Sequence, residues 1–159
     1  MLQGLLKTQE VAQRRTRGLS LQAEGNSANL ATTGIAILST FNLDPVPPFL
    51  IEALERRGLY ANIYVGPFGQ LAQEVLDERS ELYRTQPDVV VLVPAVEGLL
   101  VAFFDRPAGF SRTRAEELVS DRAEEIATLV RTLLERLPAA TCYVVVFGTD
   151  RAPLQHVLD

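Results

Sequence analysis

The side chains able to do chemistry gather in two short loops. Ser39, Thr40, Asn42 and Asp44 close or follow the apolar run Gly34-Ile-Ala-Ile-Leu-Ser-Thr40, while Gly66-Pro-Phe-Gly-Gln70 and Gln73 follow the run from Tyr60 to Val65. A serine or threonine hydroxyl becomes a nucleophile when a base lies within hydrogen-bond reach and an oxyanion hole faces the reacting carbon. Ser39 and Thr40 are therefore the catalytic candidates, and the base is the weak point. The single histidine, His156, lies three residues from the end of the chain and reads as a terminal residue.

The second loop offers a different chemistry. Backbone amides around Gly66 and Gly69 could face an anion, with Gln70 and Gln73 adding donors, although two glycines around a proline also make a plain tight turn. The loop is neither a GxGxxG fingerprint nor a Walker A sequence. Asn42, Asp44 and Asp150 complete the ligand-binding candidates. Asp44, Asp105 and Asp150 form no recognised metal-ligand spacing, so capping and turn formation are their expected roles and no cofactor or metal is expected. Glu116, Glu117, Arg122, Glu124 and Glu125 read as a solvated helix face with i,i+4 pairing.

Strands and helices must position these loops. Leu2, Leu5, Leu6 and Val11 suggest a short amphipathic helix over Leu2 to Arg17, and Gly18 to Thr33 reads as a linker, so residues 1–33 form a helical arm and linker. Residues 34–159 then alternate strand and helix. Gly34 to Thr40 is an apolar run of the kind buried on both faces of a parallel sheet. Pro45, Pro47 and Pro48 favour a helix start, and that helix ends at Gly58. Tyr60 to Val65 is the second strand, Gln70 to Tyr83 is largely helical, and Asp88 to Val93 is the third strand and the most buried. A short helix over Val96 to Phe104 precedes a long one from Ser111 to about Leu137, for which Thr113 with Glu116 fits a capping box. Pro138 stops it, and Cys142 to Phe147 forms a fourth strand with Cys142 as an inert core thiol.

This alternation predicts an α/β fold of three layers, with right-handed crossovers, a parallel sheet of about four strands in the order 2-1-3-4 and helices on both faces. In such a sheet the crevice lies outside the carboxyl ends of the strands where the order reverses. That rule selects the loops Ser39 to Pro48, Gly66 to Gln73 and Pro94 to Gly98, with Gly148 to His156 on the same edge.

Composition excludes several classes. The 159 residues are 47% hydrophobic and 22% charged, the balance of one folded domain. The longest apolar runs are too short to cross a bilayer, and no secretory leader stands at the N-terminus. One cysteine forms no internal disulfide, and a cytoplasmic location is expected. With a net charge of -5 and scattered arginines, the chain lacks the basic patch that nucleic-acid binding requires.

The order of segments resembles the N-terminal domain of FkbH-like proteins. The resemblance rests on Ile35-Ala-Ile-Leu-Ser-Thr-Phe-Asn-Leu-Asp-Pro45, Tyr64-Val-Gly-Pro-Phe-Gly-Gln70, Leu76-Asp77, Leu82-Tyr83, Gln86-Pro-Asp-Val-Val-Val-Leu92 and Phe147-Gly-Thr-Asp-Arg-Ala-Pro153, and covers roughly residues 34–159. It implies an SGNH-like domain that precedes a haloacid-dehalogenase-like (HAD-type) domain, in proteins associated with loading a glyceryl-type unit onto an acyl carrier protein for polyketide-type biosynthesis. The chain has no Asp-x-Asp-x-Thr/Val motif, so the Mg-dependent domain would have to follow, and the domain over 34–159 is expected to be truncated at its C-terminal end.

The SGNH catalytic blocks are degenerate. Aligning a Gly-Asp-Ser block on Ser39-Thr40-Phe41 puts phenylalanine at the serine position, and only a slip brings Thr40 or Ser39 there. The Gly-x-Asn-Asp block falls on Val93-Pro-Ala-Val96 without asparagine, and Asp150 and His156 stand too far apart for an Asp-x-x-His block. A noncatalytic interaction or substrate-presenting domain is the leading expectation, with an acyl carrier protein or a HAD-type domain as partner. A standalone SGNH-type esterase or acyltransferase and a flavodoxin-like module for a small ligand are its rivals.

Overall fold

The computed structural model describes residues 2–94 and 111–146. Its elements run α1 (Leu2–Glu24), β1 (Ala31–Ser39), α2 (Pro47–Glu55), β2 (Leu59–Val65), α3 (Leu71–Leu76), α4 (Glu81–Thr85), β3 (Val89–Val93), α5 (Arg112–Arg136) and β4 (Thr141–Val144). The four strands pair in parallel in the order β2-β1-β3-β4, as the alternation of strand and helix predicts. The central register sets Ile35 between Ile63 of β2 and Val89 of β3.

Period-two alternation divides the apolar residues of β1 between two cores. Ala36 and Leu38 face one side, where Leu71 and Val75 of α3, Leu82 of α4 and Leu129 and Leu133 of α5 close over them. Ile35 and Ile37 face the other, with Ala61, Val93 and the α2 residues Leu50 and Leu54. Helices therefore cover both faces and the molecule has three layers.

Several local boundaries differ from the sequence-based expectation. The segment read as a linker from Gly18 is helical through Glu24 and already a strand at Ala31. Helix α1 is held by α2. Arg14 meets Glu52 at 3.2 Å, Arg17 meets Glu55 at 3.2 Å, and Leu21 is buried. Gly18 allows the contact, because a Cβ there would come within 1.8 Å of the Pro48 carbonyl oxygen. The short connection from α1 to β1 is closed by Asn26, whose side chain both donates to the Leu30 carbonyl and accepts from the Leu30 amide.

The helical stretch expected over Gln70 to Tyr83 is two short helices. Asp77 takes an extended conformation, and the Ser80 hydroxyl donates to the Glu74 carbonyl at 2.7 Å. The cap of α5 is Ser111 rather than Thr113, since the Ser111 hydroxyl accepts the Arg114 amide. The fourth strand starts at Thr141, lies at the edge among the described strands and is exposed rather than buried, with Tyr143 57% exposed and Cys142 half-buried. The helix expected over Val96 to Phe104 lies outside the described residues. No helix among the described residues is long and apolar enough to cross a membrane.

Candidate functional site

The parallel topology brings the ends of β1, β2 and β3 to one edge of the sheet, as the crevice rule requires. The Thr40 amide donates to the Val93 carbonyl at 3.4 Å and the Gly66 amide to the Ile37 carbonyl at 2.9 Å, so the first two loops leave the sheet beside their neighbouring strands. Ser39, Thr40 and Gly66 are thus neighbours in the fold.

Ser39 is only 4% exposed, and its hydroxyl donates to the main-chain carbonyl of Phe41. That carbonyl fixes the hydroxyl proton and cannot remove it, so the geometry is that of a turn-closing serine. Asn42 behaves in the same way, its side-chain oxygen accepting the Asp44 amide at 2.7 Å in an Asx turn that leaves the Asp44 carboxylate exposed.

The second loop is a tight turn built on its two glycines. A Cβ on Gly66 would come within 2.5 Å of the Leu38 side chain, and Gly69 has a φ of +72°, a conformation that favours glycine. The Gln70 amide donates to the Pro67 carbonyl and the Gln70 carbonyl accepts the Glu74 amide, which leads directly into α3. The side chains of Gln70 and Gln73 are exposed, and Phe68 at the tip is 71% exposed. Asp150, His156 and the loops after β3 and β4 lie outside the described residues, beyond Pro94 and Val146.

A residue that sequence reasoning passed over lies beneath this turn. Glu74 is only 8% exposed on the inner face of α3, where its carboxylate accepts the Tyr64 hydroxyl at 2.9 Å and the Leu82 amide at 3.3 Å. Burial and then the hydrogen bond to Glu74 raise the Tyr64 phenol well above its ordinary pKa. Its one signal in the sequence is a glutamate between the apolar residues Leu71 and Val75 on one helical face. Both bonds spend the carboxylate on structure, tying β2 to α3 and capping α4. Among the described residues no group of three or more His, Cys, Asp or Glu is placed to hold a metal ion.

Away from the predicted edge, a cleft of about 560 Å³ is lined by Tyr60 to Tyr64 of β2, by Thr32, Gly34 and Ile35 of β1, and by Pro87 and Asp88 before β3. Gln22 and Ile51 reach it from one layer of helices, and Glu81 and Thr85 from the other. No sequence motif marks it, because its lining comes from separate elements of the chain.

No protein-family model matches the chain, and no curated protein is similar to it at a significant level. Among solved structures it is similar to the crystal structure of the N-terminal part of the protein BF1531 from Bacteroides fragilis, described as containing a phosphatase domain complexed with Mg. The TM-score is 0.67 at 13% sequence identity, which shows a shared fold. The likeness covers 92% of this chain and 35% of that one, so the chain spans about a third of the length of that structure.

Proposed function

We propose that this chain is a noncatalytic interaction or substrate-presenting domain of the FkbH-like kind, acting beside a HAD-type domain that transfers a glyceryl-type unit onto an acyl carrier protein. The observation that carries the reading is the likeness of fold to the N-terminal part of a protein that also contains a phosphatase domain. The consistent order of FkbH-like segments along residues 34–159 supports it. So does Ser39, whose hydroxyl is engaged by the Phe41 carbonyl. In this reading the Mg-dependent chemistry belongs to the partner domain, while this chain binds and positions.

The test is hydrolysis of p-nitrophenyl acetate by the chain and by Ser39→Ala, together with titration against a phosphopantetheinylated acyl carrier protein. Equal background rates for the two chains, with saturable binding of the carrier protein, are expected. An esterase rate that disappears in Ser39→Ala would establish the rival SGNH-type hydrolase instead.

A further inference from the structure

We propose that the outer face of α1, opposite the face packed on α2, docks a helix of another protein that is apolar along the contact and carries a carboxylate facing Arg15. This goes beyond the carrier-protein reading, which assigns no surface of the chain, and does not depend on it.

The helical period gives α1 two distinct faces. Gly18 and Leu21 are buried on one, where Arg14 reaches Glu52 and Arg17 reaches Glu55, so this face is the one toward α2. Ala12, Arg15, Thr16, Leu19 and Ala23 share the opposite face at the i, i+3, i+4, i+7 spacing of an apolar stripe, and all five are exposed. Leu19 is 45% exposed, and Val11 at the border of the stripe is 53% exposed. The Thr16 hydroxyl is spent on the Ala12 carbonyl at 3.0 Å, which leaves the Arg15 guanidinium as the polar group of the stripe.

A surface helix packed on one side ordinarily turns its polar residues away from that side. In α1 they lie on a flank instead, where Gln13, Ser20 and Glu24 follow one another and the Ser20 hydroxyl donates to the Glu24 carboxylate at 2.7 Å. The outward face therefore carries apolar side chains where solvent favours charge. From Ala12 to Ala23 it extends roughly 17 Å, about three turns, which is the length of an ordinary helix packed along it. Recognition of an amphipathic helix through anchors at this spacing is a common mode of protein association.

Charge decides which helix fits. The neighbouring arginines are neutralised within the fold, Arg14 by Glu52 and Arg17 by Glu55, each at 3.2 Å. Arg15 makes no ion pair among the described residues, and it stands in the middle of the stripe, one turn from both Val11 and Leu19. A wholly apolar helix laid there would strand this guanidinium away from water, whereas a carboxylate meets it with charge-assisted hydrogen bonds. The glutamates of α1, Glu10 and Glu24, lie off the stripe. A second copy of the chain packed through the same face thus brings Arg15 no carboxylate and sets like charges together, so the occupant is a different, acidic helix.

The experiment is fluorescence anisotropy of the full chain with a labelled helical peptide of alanine and glutamine that carries leucines one turn to either side of a central glutamate, and with the same peptide bearing lysine at the centre. The glutamate peptide is expected to bind at least about tenfold more tightly than the lysine peptide. Arg15→Glu is expected to reverse that preference and Leu19→Asp to abolish binding, both with unchanged far-UV circular dichroism because neither position touches α2. Equal binding of the two peptides, or an unchanged preference in Arg15→Glu, would overturn the assigned charge chemistry. Failure of both peptides to bind would overturn the proposal outright. Tighter binding to phosphatidylserine vesicles than to either peptide would make a lipid surface the occupant, and a dimer in sedimentation that Leu19→Asp dissociates would make it a second copy; each overturns the proposal.

Discussion

The Tyr64 hydroxyl and the Leu82 amide both converge on the Glu74 carboxylate, at 2.9 and 3.3 Å. Burial first, and the hydrogen bond to Glu74 second, disfavour the phenolate and raise the Tyr64 pKa. An unfolded tyrosine loses its proton near pH ~10, whereas the folded chain still holds this one, so above that pH the native state binds more protons than the unfolded state. Its stabilising contribution is therefore intact below about pH 10 and declines as the pH rises beyond it. Urea unfolding on either side of that pH should show a steeper loss in the native chain than in Tyr64→Phe, and equal losses would contradict the assignment. At neutral pH the same substitution should cost about 1.5–3 kcal/mol, the worth of a hydrogen bond to a charged group. Glu74 was hard to recognise beforehand because a glutamate on a helix is ordinarily solvated, and only the approach of β2 and α4 makes it a buried acceptor.

Helix α1 depends on one glycine in the same way. A Cβ on Gly18 would meet the Pro48 carbonyl oxygen at 1.8 Å, and the obstacle is backbone that cannot rotate aside. Gly18→Ala favours the isolated helix by its propensity, yet it should lower stability by about 1–3 kcal/mol through overpacking against α2. Limited proteolysis should then cut α1 of the variant faster than that of the native chain, and unchanged cleavage would show that α1 is not held there. The linker reading of Gly18 to Thr33 failed for this reason. Gly18, Gly25, Asn26 and Asn29 have low helix propensity, while the contacts that hold the segment come from Glu52, Glu55 and Pro48 in another element. Strand β1 and the helix after the prolines were legible because an apolar run and a proline-led helix start are written within about ten residues.

The larger core joins distant parts of the chain. Leu133 of α5 is fully buried in a cluster that includes Leu38, Leu82 and Leu92, so it links the last helix to the sheet and to α4. Leu133→Ala should lower the stability of the whole chain by about 2–5 kcal/mol, and the loss should be the same by circular dichroism and by tyrosine fluorescence. A loss seen by one probe alone would mean that α5 unfolds as a separate unit. At this scale the exposed residues Tyr143, Val144 and Val146 mark β4 as the opposite edge among the described strands.

The sequence by itself determined the three-layer class, the parallel strand order and the sheet edge on which Ser39, Thr40 and Gly66 meet, because strand periodicity and crossover handedness are local or general constraints. Only the tertiary structure decided that the Ser39 hydroxyl donates to the Phe41 carbonyl, that Glu74 is spent on Tyr64 and Leu82, that α1 rests on α2, and that a cleft opens among β1, β2 and α4. Some of these partners lie far apart in the chain, as Arg14 and Glu52 do at 38 residues and Gly34 and Asp88 at 54. Others, such as Ser39 and Phe41, are close in sequence but take their geometry from neighbouring strands. Contacts of both kinds depend on how complete elements pack, which no short window of residues encodes.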